Sequence, residues 1–287
     1  MSAIYTIRPM LRSEVDLAVE WAAAEGWNPG LHDADCFYAA DPNGFLIGLL
    51  GNEAIATLSA IRYDDTFGFL GFYIVKPEFR GRGYGLQLWN AGMTYLRGCT
   101  IGLDGVVAQQ PNYQKSGFQL AYRNIRYQGL SGFAAEPTPV MPKAAIAPLS
   151  TIPFEAIAAY DRPFFPSDRA AFLYCWLHQA DSVALGLGHN NQLAGYGVIR
   201  PCRQGYKIGP LFADTADFAE QLLRALTASV PPNRPVYLDV PDGNAAAIAI
   251  AQRYAMQPMF ETARMYAGPS PSLPVERLFG VTSFELG

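Results

Sequence analysis

The chain has 287 residues, long enough for two domains, and is half hydrophobic with 13% aromatic residues, the composition of a globular protein rather than a disordered one. Its 21 basic and 25 acidic side chains leave a formal net charge of −4, which argues against broad binding to nucleic acid or anionic membranes. No stretch approaches the roughly 20 uninterrupted apolar residues of a membrane-crossing helix. The opening residues Met1-Ser2-Ala3-Ile4-Tyr5-Thr6-Ile7-Arg8 read as a strand without signal-peptide architecture, so a cytoplasmic protein is expected. Cys36, Cys99, Cys175 and Cys202 stand far apart with no Cys-x-x-Cys, the pattern of free thiols in a reducing compartment. His32, His178 and His189 fall into no metal-ligand spacing and no Gly-x-Ser-x-Gly is present, so neither a metal nor a serine triad is expected.

Further along, residues 54–62 read as one arm of a strand hairpin, and the aromatic, β-branched run Gly71-Phe72-Tyr73-Ile74-Val75 as the next strand. Lys76-Pro77 ends it, and the turn Arg80-Gly81-Arg82-Gly83-Tyr84-Gly85 opens a helix. Leu86, Trp89, Met93 and Leu96 recur at spacings of three and four and predict that helix's apolar face. Glycines let the backbone curl until several N–H groups point at one spot. The helix N-terminus and two arginines add positive charge, so the turn is a seat for a pyrophosphate. It is neither a P-loop, since no Gly-Lys-Ser/Thr follows, nor a Gly-x-Gly-x-x-Gly dinucleotide turn.

The spacing Arg80-x-x-Gly83-x-Gly85, directly after a strand ending in Val75, resembles the acetyl-CoA signature of the GNAT N-acetyltransferases. The resemblance implies an α/β fold with a mixed sheet and no metal. It implies acetyl-CoA bound by Arg80, Gly81, Arg82, Gly83, Tyr84 and Gly85, with its pantetheine arm along Phe72, Tyr73, Ile74 and Val75. A backbone N–H of that strand would serve the thioester oxygen as an oxyanion hole. Further on, Asn112-Tyr113-Gln114-Lys115-Ser116-Gly117-Phe118 resembles the family's Tyr-x-x-x-Gly-Phe element. By that resemblance Tyr113 gives a proton to the departing thiolate, and Asn112 and Lys115 lie at the cofactor. The chain departs from the family where Pro111 shortens the helix that usually starts from an Asn. It departs again where Phe72 and Tyr73 stand in place of a frequent Glu, and Glu78 only decorates the turn. The base comes either from the second half or from a chain of waters.

The second half repeats the first. Ala54-Ile55-Ala56-Thr57-Leu58-Ser59-Ala60-Ile61-Arg62 falls on Gln192-Leu193-Ala194-Gly195-Tyr196-Gly197-Val198-Ile199-Arg200, and without a gap residues 71–75 fall on 209–213. After a small shift Leu103-Asp104 falls on Leu238-Asp239. Each half therefore reads strand hairpin, strand, helix, strand, helix, strand. The expected division is an N-terminal GNAT domain over 1–130, a Pro- and Ala-rich linker over 131–143, a second GNAT-like domain over 144–268 and a tail over 269–287 that packs back across both. Where the first half has its glycine turn, the second has Asp214-Thr215-Ala216-Asp217, whose carboxylates repel a pyrophosphate. Asp217 is expected to cap the following helix, with Phe218, Leu222 and Leu226 as its buried face. The second half nevertheless keeps the family's more usual Asn244-to-Tyr254 arrangement.

A half freed from cofactor duty can line an interdomain substrate pocket. Charges and aromatics alternate in Asp161-Arg162-Pro163-Phe164-Phe165-Pro166-Ser167-Asp168-Arg169, so Asp161 and Arg169, with Arg200 at a strand end, are the substrate-binding candidates. The reading is a tandem GNAT-fold N-acetyltransferase that moves acetyl from acetyl-CoA to the primary amine of a small molecule. The alternatives are a protein-lysine acetyltransferase and a non-catalytic acyl-CoA binding or sensing module.

Overall fold

A computed structural model describes residues 3–132 and 144–287. Its first half runs β1 (Tyr5–Pro9), α1 (Arg12–Ala24), α2 (Asp33–Ala40), β2 (Phe45–Leu50), β3 (Glu53–Arg62), β4 (Phe67–Val75), α3 (Tyr84–Tyr95), β5 (Thr100–Val106), α4 (Gln110–Lys115) and β6 (Gln119–Leu130). The second runs β7 (Ala144–Pro148), α5 (Phe154–Asp161), α6 (Ala170–Leu177), β8 (Val183–His189), β9 (Gln192–Pro201), β10 (Tyr206–Ala213), α7 (Ala216–Ala228), β11 (Pro235–Pro241), α8 (Ala245–Arg253) and β12 (Gln257–Ala267). The tail adds β13 (Leu278–Gly280). From β2 and β8 onward, the order of elements in the two halves is the repeat expected from sequence. Most of the linker expected over 131–143 lies outside the described residues.

Among the described residues one mixed sheet runs through both halves, in the order β1-β2-β3-β4-β5-β12-β6-β11-β10-β9-β8-β7. The last strand of each half has crossed to the other. β12 pairs with β5, Thr262 opposite Val106, and β6 pairs with β11, Asn124 opposite Pro241. Each exchanged strand carries a buried arginine that grips an aspartate of the half it has joined. Arg264 holds Asp104 through two hydrogen bonds, of 3.0 and 2.5 Å, and Arg126 holds Asp239 through two of 2.7 Å. A bidentate pair satisfies two charges that burial would otherwise penalise, and its planar fork fixes the register of the strand that bears it. β6 ends at Leu130 and β7 begins at Ala144, and the exchanged strands interlock the two halves.

Each half has its own core on one sheet face. Leu58, Leu70, Leu88, Trp89, Leu96 and Leu103 pack under α3, and Ile199, Ile208, Leu222, Leu226, Leu238 and Ile250 under α7 and α8. Phe218, Leu222 and Leu226 are buried as their spacing predicts. The cap of α7 differs from expectation: Thr215 has the extended backbone of a cap residue, and its hydroxyl accepts from the Phe218 N–H, leaving Asp217 in the first turn. In α3 the buried face is Leu88, Trp89 and Gly92, continued by Leu96 at the C-cap, while Leu86 is exposed. On the opposite face a third core is shared, with Phe37 of α2 stacked on Trp176 of α6 at 5.9 Å and Phe284 and Leu286 of the tail buried alongside.

Candidate active site

β4 and β5 pair in parallel only from Phe67 opposite Thr100 to Leu70 opposite Leu103, and then part. The cause lies in β4. Phe72 takes a left-handed backbone (φ 47°), and the pairing with β3 slips there, so that β4 bulges. The Thr57 hydroxyl donates to the Phe72 carbonyl at 2.9 Å and holds the distortion. Phe72 and Ile74 then face the shared core, while Tyr73 and Val75 face α3. The cleft edge of residues 71–75 is left with backbone groups that β5 does not engage, which suits an extended amide-bearing ligand. The fork opens a cleft of about 830 Å³.

At one end lies the glycine turn. Gly81 and Gly83 have φ of 72° and 83°, and Gly83 caps α3 in the left-handed region, so a side chain there would be strained. The first N–H groups of α3 point out of the helix end without intrahelical partners. Arg80 is aimed by its own strand: Nε donates to the Val75 carbonyl at 2.7 Å, and a terminal nitrogen meets Glu25 at 2.5 Å. Both partners are solvent-exposed, so that ion pair is weak. Arg80, Gly81, Gly83 and Gly85 line the cleft. Arg82 and Tyr84 do not: the Arg82 guanidinium lies over the rings of Phe79 and Tyr84, and Tyr84 packs on Tyr5 at 4.8 Å. Leu86, predicted to be buried, lines the cleft beside the turn.

Tyr113 also lines the cleft, from α4, together with Asn112 and Lys115. Its ring stacks on Trp89 at 5.7 Å and packs on β5 where Gly105 has no side chain to block it. Burial, with the nearby Tyr73 phenol, pushes the Tyr113 phenol up to about 12. It therefore stays protonated, as a donor, through the ordinary working range. Asn112 donates to Gln109 at 2.8 Å and accepts from Lys115 at 3.4 Å. The short helix that follows from Pro111 is present and still delivers Tyr113 to the fork.

The substrate-binding candidates require correction. Asp161 and Arg169 are buried against each other, with hydrogen bonds of 2.8 and 2.6 Å, and Arg169 also donates to the Thr282 hydroxyl of the tail. Arg200 is fully buried, pairs with Asp33 of α2 at 2.7 Å and lies over the Trp176 ring at 4.2 Å. None of the three lines the cleft. Their alternation with aromatics reflects cation–π and ion-pair packing between helices and sheet. The residues opposite β4 are instead Trp27, Phe260, Thr262, Phe284 and Glu285, from a loop, the exchanged strand β12 and the tail. Sequence reasoning brought the tail back across the halves but singled out none of these side chains.

The second half forms the same fork and fills it with its own chain. β10 and β11 pair only from Tyr206 opposite Val236 to Ile208 opposite Leu238. β13 then pairs with β10, Leu278 opposite Phe212, and the Val281 N–H donates to the Asp239 carbonyl at 2.9 Å. Asn244 donates to the carbonyls of Val275, Glu276 and Leu278, and Tyr254 donates to Glu220, so both are engaged internally. Asp214, in place of the glycine turn, holds Arg277 of the tail at 2.5 Å.

Two family descriptions match in tandem: the acetyltransferase (GNAT) family over residues 12–118 and the acetyltransferase (GNAT) domain over residues 157–280. Holothin acyltransferase of Pseudoalteromonas sp. (strain SANK 73390) is 28% identical over 283 residues, 99% of this chain and 95% of that protein. A putative acetyltransferase from Pyrococcus horikoshii superposes with a TM-score of 0.82 at 21% identity, over 99% of this chain and 96% of that one. A tandem GNAT protein from the clavulanic acid biosynthesis pathway superposes with a TM-score of 0.63 at 16% identity, over 93% and 100%. No helix among the described residues is long and apolar enough to cross a membrane. With the forked β4–β5 cleft, its glycine turn and two matched domains in series, the chain belongs to the GNAT acetyltransferase family, as a tandem acyltransferase of acyl-CoA type.

Proposed function

We propose that the first half transfers an acetyl group from acetyl-CoA to the primary amine of a small molecule. The observation that carries this reading is the β4–β5 fork, with the phosphate-type turn at one end and a protonated phenol, Tyr113, in its wall. The pyrophosphate meets Arg80 and the N–H groups of the turn, and the pantetheine arm runs along residues 72–75. The amine nitrogen attacks the thioester carbon, a backbone N–H of β4 stabilises the oxyanion, and the C–S bond breaks. Tyr113 supplies the proton that makes the leaving thiolate a thiol, the nitrogen sheds one proton to water as the amide forms, and a proton from water restores the phenol.

A small acceptor is favoured over a protein lysine because residues of both halves and the tail wall the far end of the cleft, where a peptide would need an open groove. The likeness to holothin acyltransferase over nearly the whole chain supports transfer to a discrete compound. Four free cysteines suit a reducing cytoplasm. The test is an amine panel with acetyl-CoA, reading release of free CoA thiol. Amine-dependent turnover is expected. Tight acetyl-CoA binding with only slow thioester hydrolysis across the panel would favour a sensing module.

A further inference from the structure

The tail brings to the cleft a carboxylate with an oxygen that lacks a hydrogen-bond partner among the described residues. Glu285 is 4% exposed and lines the cleft, yet its Oε2 has no hydrogen-bond partner, and its carboxylate joins no ion pair among the described residues. Burying a carboxylate without donors is costly, so such a group is retained where a donor arrives from outside the chain. Its main chain is held tightly: the Glu285 carbonyl lies against Gly71, where any side chain would collide with it, and the next carbonyl, of Leu286, accepts from the Tyr63 hydroxyl at 2.9 Å. Gly71 lies four residues before Val75, so the Glu285 main chain meets β4 roughly 13 Å along the strand from the end that leads into the glycine turn.

Three buried cations, Arg126, Arg200 and Lys207, lie within electrostatic reach of this carboxylate. Arg200 is paired with Asp33, with its Nη1 left unpartnered, and Arg126 is paired with Asp239, while among the described residues the Lys207 ammonium donates to the Trp27 carbonyl at 3.5 Å and joins no ion pair. Lys207 thus offsets the charge of Glu285 at a distance without making an ion pair with it. Trp27, Phe260 and Phe284 line the same cleft. Phe260 and Phe284 lie 6.1 Å apart, both under the Arg126 guanidinium, and Arg126 also donates to the Trp27 carbonyl at 2.8 Å.

On the acyl-transfer reading above, we infer that Glu285 binds the acceptor, taking a hydrogen bond from its N–H, and that Trp27, Phe260 and Phe284 select a primary amine on a flat apolar body. A planar ring fits an aromatic wall, and the amine supplies the donor that the buried carboxylate lacks. Glu285 holds the nitrogen in position for attack and is not consumed.

Tryptamine and 2-phenylethylamine serve as probes, n-butylamine as the flat-body control, and calorimetry with acetyl-CoA as the check on each variant. The wild-type protein is expected to acetylate the aryl amines with kcat/KM at least about tenfold above n-butylamine. Glu285→Gln should bind acetyl-CoA normally and lose about 10- to 100-fold in kcat/KM for tryptamine. Phe260→Leu, which leaves the carboxylate in place, should raise KM for tryptamine about fivefold at constant KM for acetyl-CoA. A Glu285→Gln variant within twofold of wild type on tryptamine overturns the role of Glu285, and no preference for aryl amines overturns the acceptor class. If Glu285→Gln fails the calorimetric check, Phe260→Leu decides, and an unchanged tryptamine KM refutes the site. Failure of the wild-type protein to bind acetyl-CoA refutes acyl transfer itself, a result distinct from all of these.

Discussion

In the first half β4 and β5 separate after Leu70 around a cleft, whereas in the second β10 and β11 separate after Ile208 around a strand of the same chain, β13. The fork is common to both copies; what stands in it differs. Leu278 to Val281 give the second fork the backbone hydrogen bonds that an extended ligand would otherwise make, and Asn244 adds three more to the incoming tail. The same segment then crosses to the first half and walls the far end of its cleft with Phe284 and Glu285. Duplication here left one fork open as a cleft and turned the other into a socket for the tail that walls it.

The comparison breaks most forcefully at the exchanged strands. Arg264→Ala and Arg126→Ala each strand a buried aspartate, and each should cost about 3–5 kcal/mol of stability. Urea unfolding should show similar losses, because the two locks are equivalent. A loss confined to one of them would mean that the halves are held together from one side only.

Next in size is Tyr113→Phe, which keeps the ring on Trp89 and removes the proton. Turnover should fall by about 10²-fold with acetyl-CoA affinity unchanged, while Tyr254→Phe, in the second half, should leave turnover intact. Burial raises the Tyr113 phenol to about 12, so its proton is lost only above the ordinary phenol range. The rate should therefore show no Tyr113-dependent decline up to pH about 10. A decline near pH 9 that disappears in Tyr113→Phe would show a phenol exposed to water.

A smaller effect is expected at the turn. Arg80→Ala with Gly83→Ala should weaken acetyl-CoA binding more than about tenfold, through a lost charge-assisted contact and a strained left-handed cap. Unchanged affinity by calorimetry would remove the phosphate role from this turn. Least of all should follow from neutralising the second half: Asp214→Ala with Asp217→Ala should leave the stoichiometry at one acetyl-CoA per chain. Sequence alone suggests that charge keeps the second fork free of cofactor; the structure adds that β13 fills it. A second equivalent bound by this variant would show that repulsion was the only barrier.

The features legible in sequence are those encoded over short stretches of chain. Strand, proline, glycine turn and amphipathic helix follow one another within residues 71–96, and the left-handed backbone positions Gly81 and Gly83 lie where the glycines are. The repeat was legible for the same reason, since apolar alternation and helix periodicity are local and survive duplication. Leu86 shows the limit: its spacing belongs to the buried face, but the fork opens beside it and leaves it exposed at the cleft.

Asp161, Arg169 and Arg200 were misplaced because charge beside aromatics looks the same whether the partner is a ligand or a distant residue, and the partner of Arg200 is Asp33, 167 positions away. Strand exchange is equally invisible, because β6 and β12 present the same alternation whichever half they join. The sequence by itself determined the family of folds, the repeat and the glycine turn, all properties of backbone freedom and local periodicity. Only the tertiary structure decided which strand completes which half, that the second fork is closed by β13, and that Glu285 reaches the first cleft. Those outcomes rest on long-range pairing of buried charges and backbone groups, whose partners no local pattern names.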